Sequence, residues 1–462
     1  MTSVPISLSP FERFLRLFAN VQPREGTTAC LLIANIFLIL AAYYLIKPVR
    51  EGWLAISMLK GFTSIEVKAY SAFGQSLFLL LVMPVYAHLA ATWTRRQLII
   101  RVGAFFAALL GCFWLAQPGI VMDQVPYAGV VFYLFVGVFS VTLVAQFWSF
   151  ASDLYGAEKG KRLFPLVAVG ASAGAVVGSW MGERLIRSQV VDAFDLILCA
   201  LLPLGAAIAL AAWSDRRGAS GQPGERTVSR WQEPAAPDGD GPYGLIARYR
   251  YLSATAAMTL VFSWVVASGD NILFGFVQQM LQERFASEGI GSASYQTLLN
   301  AATTAFYGNL YFWINLMGLL LQAFVVSRIL RYAGFGSLIL ATPIVSLTAY
   351  ASMLFVPLLG LIKVMKIAEN SSNYSVNNTA RHILWLPTTK QMLYQAKPAI
   401  DTLFVRLGDG MAAMTVLLGT RVFSLSIVGF VAINIVLVLA WLGIAIYLKQ
   451  EHKRWSIHGP RT

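Results

Sequence analysis

Two short stretches of this sequence put ionisable and amide side chains at helical spacing inside long apolar runs. The first is Tyr43, Tyr44, Lys47, Pro48, Arg50, Glu51 and Trp53. Lys47 and Glu51 are one turn apart and can pair, while Pro48 should kink or break the helix. A broken turn would free backbone groups beside two cations, which is the chemistry of an anion site. The competing reading is a charged cluster snorkelling at a helix end. The second stretch is Lys363, Lys366, Asn370, Asn373, Tyr374 and Asn377. At about 100° per residue these six share one helical face, with Glu369 at its edge. Further along stand Asp401, Arg406 and Asp409, the last two spaced for a structural ion pair. Asp270, beside Asn271, is a candidate proton or cation site, or a partner for one of these cations.

What chemistry would such residues do? Ionisable side chains at membrane depth cost roughly 2.5–3.5 kcal/mol each, so each is a candidate binding group. Lys47, Arg50, Lys363 and Lys366 can hold phosphate oxygens as charge-assisted donors. Tyr43, Tyr44 and Tyr374 can stack on a ring. Five intramembrane cations, with Arg406 the fifth, face six acids: Glu51, Asp153, Asp270, Glu369, Asp401 and Asp409. Either those acids are counter-ions that a substrate's phosphates displace, or the substrate carries less charge. No Walker loop, H-E-x-x-H pair, cysteine pair or nucleophile elbow occurs. His88, His382, His452 and His458 are scattered. The chain is expected to be no enzyme and to need neither metal nor cofactor.

The elements that must carry these groups follow from composition. Of 462 residues, 57% are hydrophobic and 12% charged, about half the ~25% charge of soluble domains. Mean hydropathy is +0.64. The surface must therefore face lipid. Cys30, Cys112 and Cys199 lie inside apolar runs and read as filler. The segment from Met1 to Glu25 is too charged for a cleaved signal. It reads as a short interfacial helix around Phe11, Phe14, Leu15 and Phe18, followed by an internal anchor.

A helix crossing the hydrocarbon needs roughly 20 residues. Charge-free runs occupy 26–46, 69–94, 102–122, 124–152, 163–182, 196–214, 251–269, 289–327, 332–362 and 422–448. The first part of 289–327, Gly289 to Thr304, reads as loop with the span near 305–327. The 332–362 run is expected to turn at Pro357. Two amphipathic spans, about 358–378 and 399–420, bring the total to twelve. The stretch 214–250, rich in Gly, Pro, Ser and Arg, reads as a linker. It divides an N-terminal half, 1–213, from a C-terminal half, 251–462. That plan is the layout of parallel-repeat carriers of the major-facilitator type.

Basic residues set the orientation. The ends, the linker and the connections on their side hold 24 of the 35 lysines and arginines, and the opposite connections eight. Both termini are therefore expected on the cytoplasmic side, and the net charge of +13 is this bias, with no nucleic-acid surface. A repeat signal links the halves. Thr142, Gln146, Ser149 and Asp153 recur at spacings 4, 3, 4, as do Lys366, Asn370, Asn373 and Asn377. Each stripe should line a cavity or serve interhelical hydrogen bonds. Gly170, Gly174 and Gly178 form a small-residue stripe for close helix packing.

Specific segments also carry a resemblance. Tyr43 to Leu54 (YYLIKPVREGWL), Phe147 to Ser179, and above all Lys366 to Met411 resemble the ATP:ADP antiporter, or nucleotide exchange transporter, family. The resemblance implies a twelve-helix fold, nucleotide exchange by alternating access, and a place among the less characterised bacterial relatives. The family's Arg-Asp-x-Lys-Asp pattern on helix 1 reads here as Lys47-Pro48-Val49-Arg50-Glu51. Tyr374, Ser375, Arg381, Pro387, Lys397 and Asp401 match the family on helices 10 and 11. Asn373, His382 and Asp409 depart from it, at two of these positions replacing a lysine. The expected substrate is a nucleotide or related phosphorylated anion, moved across a bacterial cytoplasmic membrane by a monomer. The alternatives are a proton-coupled carrier of another solute, using Asp270 or Glu369, and a non-transporting scaffold or lipid-handling protein.

Overall fold

The computed structural model describes residues 22, 25–57, 59–121, 127–219, 241–356, 358–389 and 391–458, without the side chains of 153, 156–161, 215–219 and 458. Among them the regular elements are all helical. The expected interfacial helix, most of the linker, Pro357 and Lys390 lie outside the described residues, as does the Asp153 side chain.

Among the described residues, eleven helices are long and apolar enough to cross a membrane. They are α1 Gly26–Ile56, α2 Ser64–Thr92, α3 Arg95–Leu115, α4 Ala128–Ser152, α5 Arg162–Arg187, α6 Asp195–Ser214, α7 Arg250–Arg284, α8 Ala293–Tyr332, α9 Gly334–Phe355, α11 Met392–Arg421 and α12 Ile427–Ile457. The twelfth, α10, runs Leu359–Ser372, then a π-helical turn Asn373–Asn377, then Asn378–Ile383. Its polar stripe keeps it below the hydropathy of the rest. Among the described residues a helix stands at each of the twelve expected places, eleven of them long and apolar enough to cross a membrane.

Three local expectations need correction. Only residues 289–292 are loop, and 293–304 are helix. A short 3-10 turn ends at Glu288, and α8 begins at Ala293 with Ser292 as its cap, the hydroxyl accepting from the Tyr295 N–H at 3.1 Å. The expectation rested on Ser, Thr and Gly content, but Thr303 and Thr304, with Asn300 beside them, are buried packing with almost no exposed surface. Second, α4 and α5 are one unbroken helix, Ala128–Arg187, with Pro165 inside it. Third, α1 runs through Pro48 without a break. Proline removes a single donor, and neighbouring helices can satisfy the freed carbonyl.

The described chain forms two compact units. Unit 1 comprises Met1–Ser57, Phe78–Trp231 and Gln296–Phe312, and unit 2 comprises Met58–Leu77, Gln232–Tyr295 and Trp313–Thr462. In unit 1, α1 packs against α5 and α6. Because lipid tails are as apolar as a core side chain, close approach must supply the attraction. The glycine stripe provides it. A Cβ on Gly170 would stand 2.8 Å from the Ile33 carbonyl oxygen, one on Gly178 2.5 Å from that of Ala41, and one on Gly174 would strike the Phe37 carbonyl. Gly174→Ala is therefore expected to lower the unfolding temperature of the purified protein, since overpacking typically costs about 1–3 kcal/mol. Gly205→Ala, where a Cβ meets nothing within 4 Å, serves as the control and should leave it unchanged.

In unit 2, α7 packs on α11 and α12, and α9 on α10 and α12. Tyr251 of α7 ties the far end together. Its hydroxyl lies 2.6 Å from the Leu384 carbonyl and 2.9 Å from His452 Nδ1, and its ring stacks on Trp455. Among the described residues, three of the four π-helical turns fall on α10 and α11: Asn373–Asn377, Met392–Ala396 and Ile400–Phe404. Such turns often mark functional segments.

Candidate functional site

In unit 1 the charged turn of α1 is buried. Lys47, Arg50 and Glu51 keep less than a tenth of their surface, and Glu51 none. Arg50 Nε donates to Glu51 Oε1 at 3.0 Å. The cations sit among tyrosines. Lys47 Nζ lies 4.0 Å from the Tyr311 ring centre, 4.9 Å from Tyr44 and 5.6 Å from Tyr43. The Arg50 guanidinium lies 4.4 Å from the Tyr133 ring. Tyr311 of α8 does two jobs, since its hydroxyl also donates to Glu51 Oε1 at 3.4 Å. Gly52 permits this approach of α8, because a Cβ there would stand 2.8 Å from the Asn300 carbonyl oxygen.

Tyr133 and Tyr311 were not visible as site residues in the sequence. Each is a single aromatic in an apolar run, and single tyrosines carry no periodic signal. A cation over an aromatic face gains about 0.5–2 kcal/mol. That holds a lysine in place and yields to an anion offering a charge-assisted hydrogen bond.

In unit 2 the α10 stripe is largely buried. Lys366, Glu369, Asn370, Asn373 and Asn377 are closed off, whereas Tyr374 is 56% exposed and Lys363 half-buried. Tyr374 stands in the π-helical turn Asn373–Asn377. Lys366 pairs with Glu369 at 2.6 Å and with Asp270 of α7 at 3.5 Å. Tyr350 of α9, also missed in the sequence, donates to the second Glu369 oxygen at 2.7 Å. Asn377 donates to the Asn373 side chain at 3.0 Å.

Two further ion clusters lie on α11. Arg406 pairs with Asp409 at 3.0 Å, and Ser76 of α2 joins both, donating to Asp409 at 2.6 Å and accepting from Arg406 at 2.9 Å. Asp401 holds Arg381 at 2.7 Å and also Lys397, whose ammonium lies 5.8 Å from the Trp385 ring. In the α4 stripe, Thr142 and Gln146 are buried and Ser149 exposed. A cavity of about 30 Å³ adjoins Gln146, lined mainly by apolar side chains, so it holds no substrate-sized ligand. Among the described residues no group of His, Cys, Asp and Glu is arranged to hold a metal ion.

No family model matches the chain. The chain is 23% identical over 301 residues to ADP,ATP carrier protein 1 of Chlamydia trachomatis, covering 58% of this chain and 54% of that protein. It is 21% identical over 307 residues to ADP,ATP carrier protein 1 of Chlamydia pneumoniae, covering 60% and 57%. The match thus spans little more than half the length of these curated relatives. Over that part of its length the chain is similar to these ADP,ATP carrier proteins.

Among solved structures, the fold is similar to that of an auto-inhibited POT family peptide transporter, with TM-score 0.56, 11% identity, and 94% of this chain and 97% of that one covered. It is similar to a bacterial homologue of the human lysosomal transporter Spinster, at TM-score 0.55, 12% identity, and 96% and 100% coverage. It is also similar to the nucleoside transporter NupG, at TM-score 0.51, 12% identity, and 92% and 99% coverage. The fold is that of the major-facilitator transporters, and the chain is a multi-pass membrane protein.

Proposed function

We propose that this distant relative of the ADP,ATP carriers is a secondary transporter that exchanges nucleotides, or a related phosphorylated anion, by alternating access. One observation carries the reading: Lys47 and Arg50 are buried together on α1 with Glu51, their charges facing tyrosine rings. Phosphate oxygens compete well for both. Lys47 offers a compact ammonium, and Arg50 a planar fork that can bind bidentately. Tyr43 and Tyr44 line the same turn and are proposed to meet the ring of the substrate.

In unit 2, Lys363, Lys366, Asn370, Asn373 and Tyr374 are the proposed contacts on α10. Arg381, Lys397 and Arg406 join them as cations whose carboxylate partners, Asp401 and Asp409, exchange places with substrate phosphates. The halves 1–213 and 251–462 are proposed to move as the alternating bodies, joined by the cytoplasmic linker 214–250. The protein is proposed to work as a monomer in a bacterial cytoplasmic membrane with both termini inside.

A ligand that binds only the folded state raises its apparent stability, by about 2.7 kcal/mol at a hundred times Kd. Purified protein is therefore expected to unfold at higher temperature with ATP or ADP at low salt, and to be indifferent to adenosine. A shift with adenosine alone, or none with any phosphate ester, would count against the phosphate reading.

A further inference from the structure

At one end of unit 2 three helices bring cations together with exposed apolar side chains. There α8 ends, α9 begins and the last turns of α12 run past both. Lys449 of α12 lies across the first turn of α9, where Gly336 leaves room for its stem. A Cβ on Gly336 would stand 2.5 Å from Lys449 Cε. The next residues meet as well, with the Phe335 and His452 rings 4.2 Å apart. Lys449 comes about 33 Å along α12 from its start at Ile427. That is close to one hydrocarbon thickness, so Lys449 stands at the depth of lipid headgroups.

Both α8 and α12 carry one pattern on an exposed face. On α12, Ile446, Lys449, Lys453 and Ile457 follow at spacings of 3, 4 and 4, and all are exposed. On α8, Phe324, Arg328, Arg331 and Tyr332 share an exposed face in the same way. The Arg328 guanidinium donates to the Phe324 carbonyl, and that of Arg331 lies 5.6 Å from the Tyr332 ring. Neither contact is with a carboxylate. The sequence has no acid between Glu288 and Glu369. On the last turns of α12 Glu451 pairs with Arg454 at 3.5 Å. Arg248 and Arg250 add positive charge at the start of α7, where the Tyr249 and Trp455 rings meet at 6.0 Å. Arg381 and Lys397, on the α10 and α11 side, share Asp401. Among the described residues this end is therefore strongly positive. The bias of lysine and arginine toward one side explains their number. It does not explain why they share helical faces with exposed apolar side chains.

We propose that this corner binds an anionic phospholipid. Arg328, Arg331, Lys449 and Lys453 hold the headgroup phosphate as charge-assisted donors. The acyl chains lie along Phe324 and Ile446, each about one turn deeper in the membrane than the cations of its helix. A free phosphate would leave those apolar side chains uncovered, whereas an acyl chain buries them. Lipid binding here stands without the transport reading.

The test is thermal unfolding of the purified protein in neutral detergent with added lipid. Phosphatidylglycerol is expected to raise the unfolding temperature above that seen with phosphatidylcholine of the same chains, since it binds the folded state. Arg331→Gln combined with Lys449→Gln and Lys453→Gln should lose more than half of that difference. Arg184→Gln, which alters an exposed cation of α5, should keep it. Native mass spectrometry gives a second reading: wild type should retain phosphatidylglycerol over phosphatidylcholine, and Lys449→Gln alone should retain less. Equal effects of the two lipids, or a preference that the triple variant keeps, overturns the proposal. Glycerol 3-phosphate carries the phosphate ester without acyl chains. A rise with it that the triple variant loses would assign the corner to a free phosphate and likewise overturn the lipid.

Discussion

Lys366→Gln is expected to lower the unfolding temperature of the purified protein and to cut nucleotide exchange at least tenfold. Glutamine is shorter than lysine and neutral, and it removes the cation shared by Glu369 and Asp270. Breaking a buried ion pair by removing one partner typically costs about 3–5 kcal/mol, because a charge is left in low dielectric. Glu369 is the carboxylate left behind, sealed against Tyr350. A tenfold loss of rate needs only about 1.4 kcal/mol. Lys366→Gln combined with Glu369→Gln removes both charges and should recover most of the lost stability without recovering exchange. Thermal unfolding and vesicle uptake measure the two effects separately. A lowered unfolding temperature with unchanged exchange in Lys366→Gln would move the α10 stripe to a purely structural role.

The second large effect is expected at Arg50. Arg50→Gln takes the guanidinium from Glu51, which is fully buried, and removes the bidentate donor proposed for a phosphate. Loss of both stability and exchange should follow. Lys47→Met separates binding from folding, because methionine fills the space among Tyr43, Tyr44 and Tyr311 without a charge. Its unfolding temperature without ligand should stay near that of the wild type. Its ATP affinity should fall tenfold or more, and added salt should weaken wild-type binding more than that of the variant. Equal ATP affinity in Lys47→Met and wild type would place the phosphate elsewhere.

Much of this architecture is legible in the sequence because lipid imposes a simple rule. A spanning helix must satisfy its own backbone and face hydrocarbon, so apolar length reveals α1 to α9 and α12. The amphipathic α10 and α11 follow from the spacing of Lys366, Asn370, Asn373 and Asn377 and of Arg406 and Asp409. The Gly170, Gly174 and Gly178 stripe correctly marks close packing. What the sequence hides is contact across distance. Tyr311 stands 260 positions from Glu51 and meets it through its hydroxyl. Asp270 and Lys366 are both conspicuous as intramembrane charges, yet nothing in their spacing shows that they pair.

The start of α8 and the continuity of α1 were misread for a related reason. Small polar residues and proline disfavour helix in water. Inside a bundle, neighbouring helices supply the contacts that make them tolerable.

The most direct test of nucleotide exchange is counterflow in proteoliposomes containing only this protein. Vesicles loaded with unlabelled ADP and diluted into a trace of radiolabelled ATP should take up label transiently, above its external concentration. Vesicles without internal nucleotide, or made with Lys366→Gln, should not. Accumulation that depends on internal ADP is the predicted result. Equal label in loaded, unloaded and protein-free vesicles, from protein shown to be folded, would contradict it.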